Sequence, residues 1–85
     1  MDFLIRPHNI VVEAKMTRKG LAERGIADQL LVDFARYERT PACRVLYCFV
    51  YDPQSRIKNA TGLREDLESR SSAKLTIKVA VRPFG

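Results

Sequence analysis

A chain of 85 residues, 46% hydrophobic and 29% charged, holds one small globular domain whose modest core leaves it marginally stable on its own. No apolar run approaches the roughly 20 residues that span a bilayer, and the opening Met1-Asp2-Phe3-Leu4-Ile5-Arg6 lacks the basic head and long apolar stretch of a secretion signal, so a cytoplasmic, membrane-free location is expected. The formal net charge of +5 favours encounter with a polyanion without naming an activity.

Residues 2–6 read as a short strand. Pro7-His8-Asn9 is turn chemistry, because proline fixes φ and asparagine tolerates the left-handed region. The β-branched run at 10–16 reads as a second strand, so the first two elements form a hairpin. A polar loop with two glycines, 17–25, leads into the strongest helical signal, 26–39. There Ile26, Leu30, Phe34 and Tyr37 recur at spacings of four, four and three, Ala27, Leu31 and Ala35 widen the stripe, and Asp28, Asp33 and Arg36 fall outside it. Thr40-Pro41 ends the helix, since a residue before proline is pushed out of the α region. Residues 45–51, Val-Leu-Tyr-Cys-Phe-Val-Tyr, are almost continuously apolar, which predicts a strand buried on both faces. After the Asp52-Pro53-Gln54-Ser55 turn, Thr61 is the predicted N-cap of a short helix carrying Leu63 and Leu67 and ending near Ser69. Leu75, Ile77, Val79 and Val81 alternate with Thr76, Lys78, Ala80 and Arg82, the period of a half-buried strand. The predicted order is β-β-α-β-α-β, a single α/β domain with a mixed four-stranded sheet and two helices, and the strand-helix-strand units require some parallel neighbours.

The two cysteines, Cys43 and Cys48, lie five apart in the third strand region, an odd spacing that points them to opposite faces. With no CxxC and a single histidine there are too few ligands for zinc, and two buried thiols are expected.

Val-Val-Glu13-Ala-Lys15 is the segment with chemical content. Glu13 and Lys15 are two apart on a predicted strand, so both face one way, and an acid and a base inside a β-branched run need a reason because burying either alone is costly. Asp2 lies near the open end of the same hairpin. An odd register, such as Arg6 opposite Asn9, puts Asp2 on the face of Glu13 and Lys15; an even one puts it on the other, and the sequence leaves both open. If the three converge, two carboxylates offer hard oxygens to Mg²⁺ or Mn²⁺. The metal activates water and neutralises charge at phosphorus, and the lysine holds the water or offsets developing charge. An exposed Glu-x-Lys, in contrast, is most often a solvated ion pair worth little.

Asp2-Phe3-Leu4-Ile5, Val12-Glu13-Ala14-Lys15-Met16-Thr17-Arg18, Asp28-Gln29-Leu30, Asp33 to Tyr37 and Phe49-Val50-Tyr51-Asp52-Pro53 together resemble the PD-(D/E)XK, restriction-endonuclease-like superfamily over nearly the whole chain. The D…ExK part alone is degenerate, and its conjunction with the helix and the Val-Tyr-Asp-Pro turn is more specific. The resemblance implies a divalent-metal-dependent nuclease acting on DNA. Asp2 and Glu13 would be the metal ligands, Lys15 the residue assisting water, and Gln29 the polar helix residue near the site. That family's core opens with a helix and a strand ahead of the aspartate, and a chain starting at Met1-Asp2 is expected to lack them, with a second copy covering the exposed sheet edge as a homodimer. Two other readings stand beside this one: a non-catalytic remnant serving as a basic nucleic-acid-binding or dimerisation module, and a structural protein with a surface ion pair.

Among the remaining residues, His8 reads as a solvated turn histidine. Arg18 and Lys19 read equally as phosphate contacts or solvated loop. Lys74, Lys78 and Arg82 form a basic stripe that is more often simply the wet face of an edge strand. Tyr37 and Tyr51 fit packing better than base stacking.

Overall fold

The computed structural model describes residues 2–5 by backbone and residues 9–83 in full. Strand β1 (Asp2–Ile5) is followed by β2 (Ile10–Met16), helix α1 (Glu23–Glu38), β3 (Val45–Tyr51), helix α2 (Ala60–Glu68) and β4 (Thr76–Arg82). The strands lie side by side in chain order, with β1 antiparallel to β2 and β2, β3 and β4 mutually parallel. Each parallel step needs a crossover, and α1 and α2 supply the two. Asn9, just ahead of β2, has φ of 58°, a conformation that asparagine tolerates better than most residues.

Both helices pack on one face of the sheet. The buried core is Ile26 and Leu30 of α1, Leu63 and Leu67 of α2, Val11 of β2, Leu46, Cys48 and Val50 of β3, and Ile77, Val79 and Val81 of β4. The chain moves across the sheet in a single direction, so two crossovers of the same hand return on the same side. This corrects the expectation of a doubly buried β3. Leu46, Cys48 and Val50 are buried, whereas Tyr47, Phe49 and Tyr51 remain 41%, 37% and 45% exposed on the opposite face. The unbroken apolar run came from aromatic residues on an uncovered face. Tyr51 is accordingly a surface residue, not a packing one.

The helix ends also shift from the sequence reading. Helix α1 starts three residues before its apolar stripe. In its first turn the Glu23 carboxylate accepts hydrogen bonds from the Lys58 and Asn59 amides, at 3.1 and 3.2 Å, and so ties α1 to the start of α2. Helix α2 is capped by Asn59, not Thr61: the Asn59 side-chain oxygen accepts from the Gly62 amide at 2.9 Å. The reach from a cap to the third helical residue fixes that position two residues ahead of the predicted one. Cys43 precedes β3 instead of lying within it, and both cysteines are free and buried.

At the β4 edge, backbone groups that would otherwise face outward are taken up by side chains. Ser71 Oγ accepts from the Ile77 amide at 2.9 Å, and Glu68 Oε2 accepts from the Val79 amide at 2.9 Å. Side-chain partners of this kind close an edge to further strand pairing.

Candidate active site

The helix-covered face of β2 carries Val11, Glu13 and Lys15 in alternation. Val11 joins the core, and Glu13, beside Cys48 of β3, is only 3% exposed. A carboxylate this deep requires charge and hydrogen-bond partners. Lys15 provides one, with Nζ 3.0 Å from Glu13 Oε1. The same ammonium lies 3.0 Å from Oδ2 of Asp33 on α1, and the Arg36 guanidinium stands 3.8 Å from both Glu13 Oε2 and Asp33 Oδ1. Among the described residues, Glu13, Asp33, Lys15 and Arg36 thus form one charge cluster under the helix, with the Lys15 side chain 20% exposed at its edge.

Burial pulls the Lys15 pKa down, but hydrogen bonds and charge from Glu13 and Asp33 outweigh it and hold the pKa above its ordinary value. Lys15 is therefore an ammonium at neutral pH. It can donate hydrogen bonds and offset negative charge, and it cannot serve as a general base. Cys48 sits below the cluster. Burial and the neighbouring Glu13 and Asp33 charges push its thiol up to about 12 against the lowering effect of Lys15, so it carries no nucleophile.

Asp33 is the residue that the sequence reading placed outside the helix stripe, yet it is 8% exposed. The signal was present: 26, 30, 33 and 37 are spaced four, three and four, the spacing of a core-facing seam. An aspartate in such a seam has to meet a cation. Gln29 lies one helical turn before Asp33 and is exposed. The hairpin adopts the odd register, with Asp2 directly opposite Glu13. The Asp2 side chain and His8 fall outside the described residues.

A third buried carboxylate, Asp52, closes the turn after β3. It accepts from the Thr17 hydroxyl at 2.6 Å, the Arg56 amide at 2.9 Å and the Ile57 amide at 2.9 Å. Burial raises its pKa, but these bonds, with the Arg56 charge, outweigh that effect and leave it below the ordinary carboxylate value. Its partners are all internal, so its role is to fix the ends of β2 and β3 next to Lys15. Arg18 and Lys19 follow that junction as exposed residues, Arg18 bridging by backbone to Leu21.

Among the described residues, no group of three or more His, Cys, Asp or Glu is placed to hold a metal ion. Mg²⁺, however, needs only one or two carboxylates alongside waters and phosphate, and the Glu13 carboxylate is a hard oxygen donor of that kind. The donor chemistry fits.

The acid-x-lysine pair on β2 lies beneath the crossover helix α1, and a comparison with known families gives the class: restriction endonucleases. A family model described as the DpnII-MboI restriction endonucleases (REase DpnII-MboI) matches residues 1–84, and the chain belongs to that family. No curated protein and no solved structure matches the chain. Among the described residues, no helix is long and apolar enough to cross a membrane.

Proposed function

We propose that this chain is a divalent-metal-dependent nuclease domain that hydrolyses phosphodiester bonds of DNA, on a restriction-endonuclease-like core of four strands. The observation that carries the reading is the Lys15 ammonium, fixed 3.0 Å from the buried Glu13 carboxylate on the β2 position opposite Asp2. Family membership supports DNA as the substrate. In this reading Asp2 and Glu13 hold Mg²⁺ or Mn²⁺, which supplies Lewis-acid activation of water and charge neutralisation at phosphorus when bound. Lys15 orients the attacking water or donates to a phosphate oxygen as negative charge develops, a task suited to a group that stays protonated. Asp33 positions Lys15 from the helix side, and Gln29, exposed one turn earlier on α1, would be the polar helix residue that meets substrate.

The test is cleavage of supercoiled and single-stranded DNA with Mg²⁺ or Mn²⁺. Metal-dependent cleavage that falls at least about 100-fold in Lys15→Ala is expected, the usual scale for losing one preorganised charge stabiliser. A folded, metal-saturated protein that leaves DNA intact, or cleavage indifferent to Lys15→Ala, would overturn the reading.

A further inference from the structure

Arg36 lies on α1 one helical turn after Asp33, so its side chain meets the charge cluster from the helix side. That side chain is 56% exposed, with Nη2 3.8 Å from Glu13 Oε2 and 3.8 Å from Asp33 Oδ1. Those separations are ion pairs, longer than hydrogen bonds. Tyr37 holds the head group: Nη2 donates to the Tyr37 hydroxyl at 2.8 Å, and the guanidinium carbon lies 4.5 Å from the centre of the Tyr37 ring. A stacked aromatic ring sets the plane of the guanidinium, and two carboxylates set where its charge lies.

We propose that Arg36 is a second phosphate-binding residue of the site, contacting the DNA backbone beside Lys15. The inference rests on the nuclease reading and adds a substrate contact to it. Lys15 and Arg36 converge on the same two carboxylates, so a strand that brings a phosphate to Lys15 brings that phosphate or the next within reach of Arg36. The surface involved is the one DNA has to approach for Lys15 to act. The two cations differ in kind. Lys15 is a point charge held by contacts of 3.0 Å, whereas Arg36 carries a planar fork of five donors, matched to two oxygens of one phosphate. A phosphate is therefore added while the Tyr37 hydrogen bond and ring contact stay in place. Stability does not account for the arrangement, because an exposed pair at such a distance contributes little.

The experiment is fluorescence anisotropy of a labelled DNA duplex with the whole chain in EDTA over a series of salt concentrations, with cleavage in Mn²⁺ measured beside it. In Arg36→Ala the slope of log affinity against log salt is expected to shrink by about 0.9, the value of one phosphate contact on a duplex. Arg36→Lys keeps the charge and should keep the slope, but it should cleave more slowly because the fork is lost. Arg70→Ala removes a cation just after α2, at the end of the sheet opposite Lys15, and should leave the slope unchanged. Circular dichroism checks that each variant folds. An unchanged slope in Arg36→Ala, an equal fall in Arg70→Ala, or no binding of DNA by the native protein would overturn the proposal. Native protein that shows the Arg36-dependent slope yet leaves DNA intact removes the nuclease reading and keeps Arg36 as a contact of a non-catalytic DNA site. Native protein that cleaves, with Arg36→Ala equal to it in slope and rate, removes the contact and keeps the nuclease.

Discussion

Replacing Asp33 with asparagine keeps the volume of the side chain and removes its charge. In the native protein Lys15 Nζ lies 3.0 Å from both Asp33 Oδ2 and Glu13 Oε1, with the Asp33 side chain 11% exposed and that of Lys15 20% exposed. At an effective dielectric of about 20, one such contact has a gross attraction of about 5 kcal/mol. Most of that is offset by the desolvation of both ions, and hydrogen bonds to charged groups leave a net of roughly 1.5–3 kcal/mol. Partial exposure of Lys15 puts the expected loss for Asp33→Asn near the low end, about 1.5 kcal/mol. For a domain this small that lowers Tm by roughly 6–12 °C. Lys15→Met should cost more, about 2–3 kcal/mol, because it removes the cation that lies 3.0 Å from two buried carboxylates. Lys15 has a raised folded pKa, so the stability it contributes is fully present below its ordinary value of 10.5 and is lost as pH rises through the higher folded value. That alkaline loss should vanish in Lys15→Met. Urea melts of the four proteins in the Lys15–Asp33 cycle, followed by circular dichroism, would read the coupling, expected at about 1–2 kcal/mol. Single losses that sum to the double within about 0.5 kcal/mol would show the two residues to be independent and refute the reasoning.

The Asp52 carboxylate gives a dependence of the opposite sign. Its folded pKa is lowered from the ordinary 3.8, so its contribution is present above 3.8 and is lost as pH falls through the folded value. Asp52→Ala strands the Thr17 hydroxyl and two amides, and a loss of about 3 kcal/mol in urea midpoint analysis, together with a flatter acid limb, is expected. Cys48, fully buried with its thiol pushed up to about 12, should resist iodoacetamide at pH 8 in the folded protein and react once urea unfolds it, as mass spectrometry of quenched samples would show.

Periodicity carried the parts of the fold that burial of one face dictates. The alternation at 75–82 and the four-four-three stripe of α1 each reflect a face that must meet the core, and strand-helix-strand order required parallel neighbours. Where one signal had two physical origins, the reading failed. An apolar run at Val45–Tyr51 follows from burial on both faces or from aromatics left on an open one, and only the placement of both crossovers distinguishes these. Thr61 and Asn59 are both capping residues two apart, and the choice rests on which oxygen reaches the Gly62 amide. Asp33 was hidden by its polarity: ranking it with the solvated residues ignored that its position, not its type, puts it in the seam. The hairpin register was open, because Pro7-His8-Asn9 does not fix how many residues separate the paired strands, and one residue more or fewer changes the parity.

Burying Glu13 and Asp33 beneath α1 runs against the stability of so small a domain. Well-packed hydrophobic residues in place of a buried ion cluster are often neutral or stabilising by a few kcal/mol, and the total available to 85 residues is only about 4–13 kcal/mol. A cluster retained at that cost is most simply explained by what its charges do at the protein edge, where Lys15 reaches solvent and the strand opposite begins with Asp2. Local rules are broken where function needs them broken. The other buried carboxylate, Asp52 at the end of β3, is satisfied by the Thr17 hydroxyl and two backbone amides, whereas Glu13 and Asp33 share the partly exposed Lys15. The cation that keeps the two carboxylates ionised is then the same group that would meet the phosphate, which makes the stability of the cluster and the chemistry of the site two readings of one interaction.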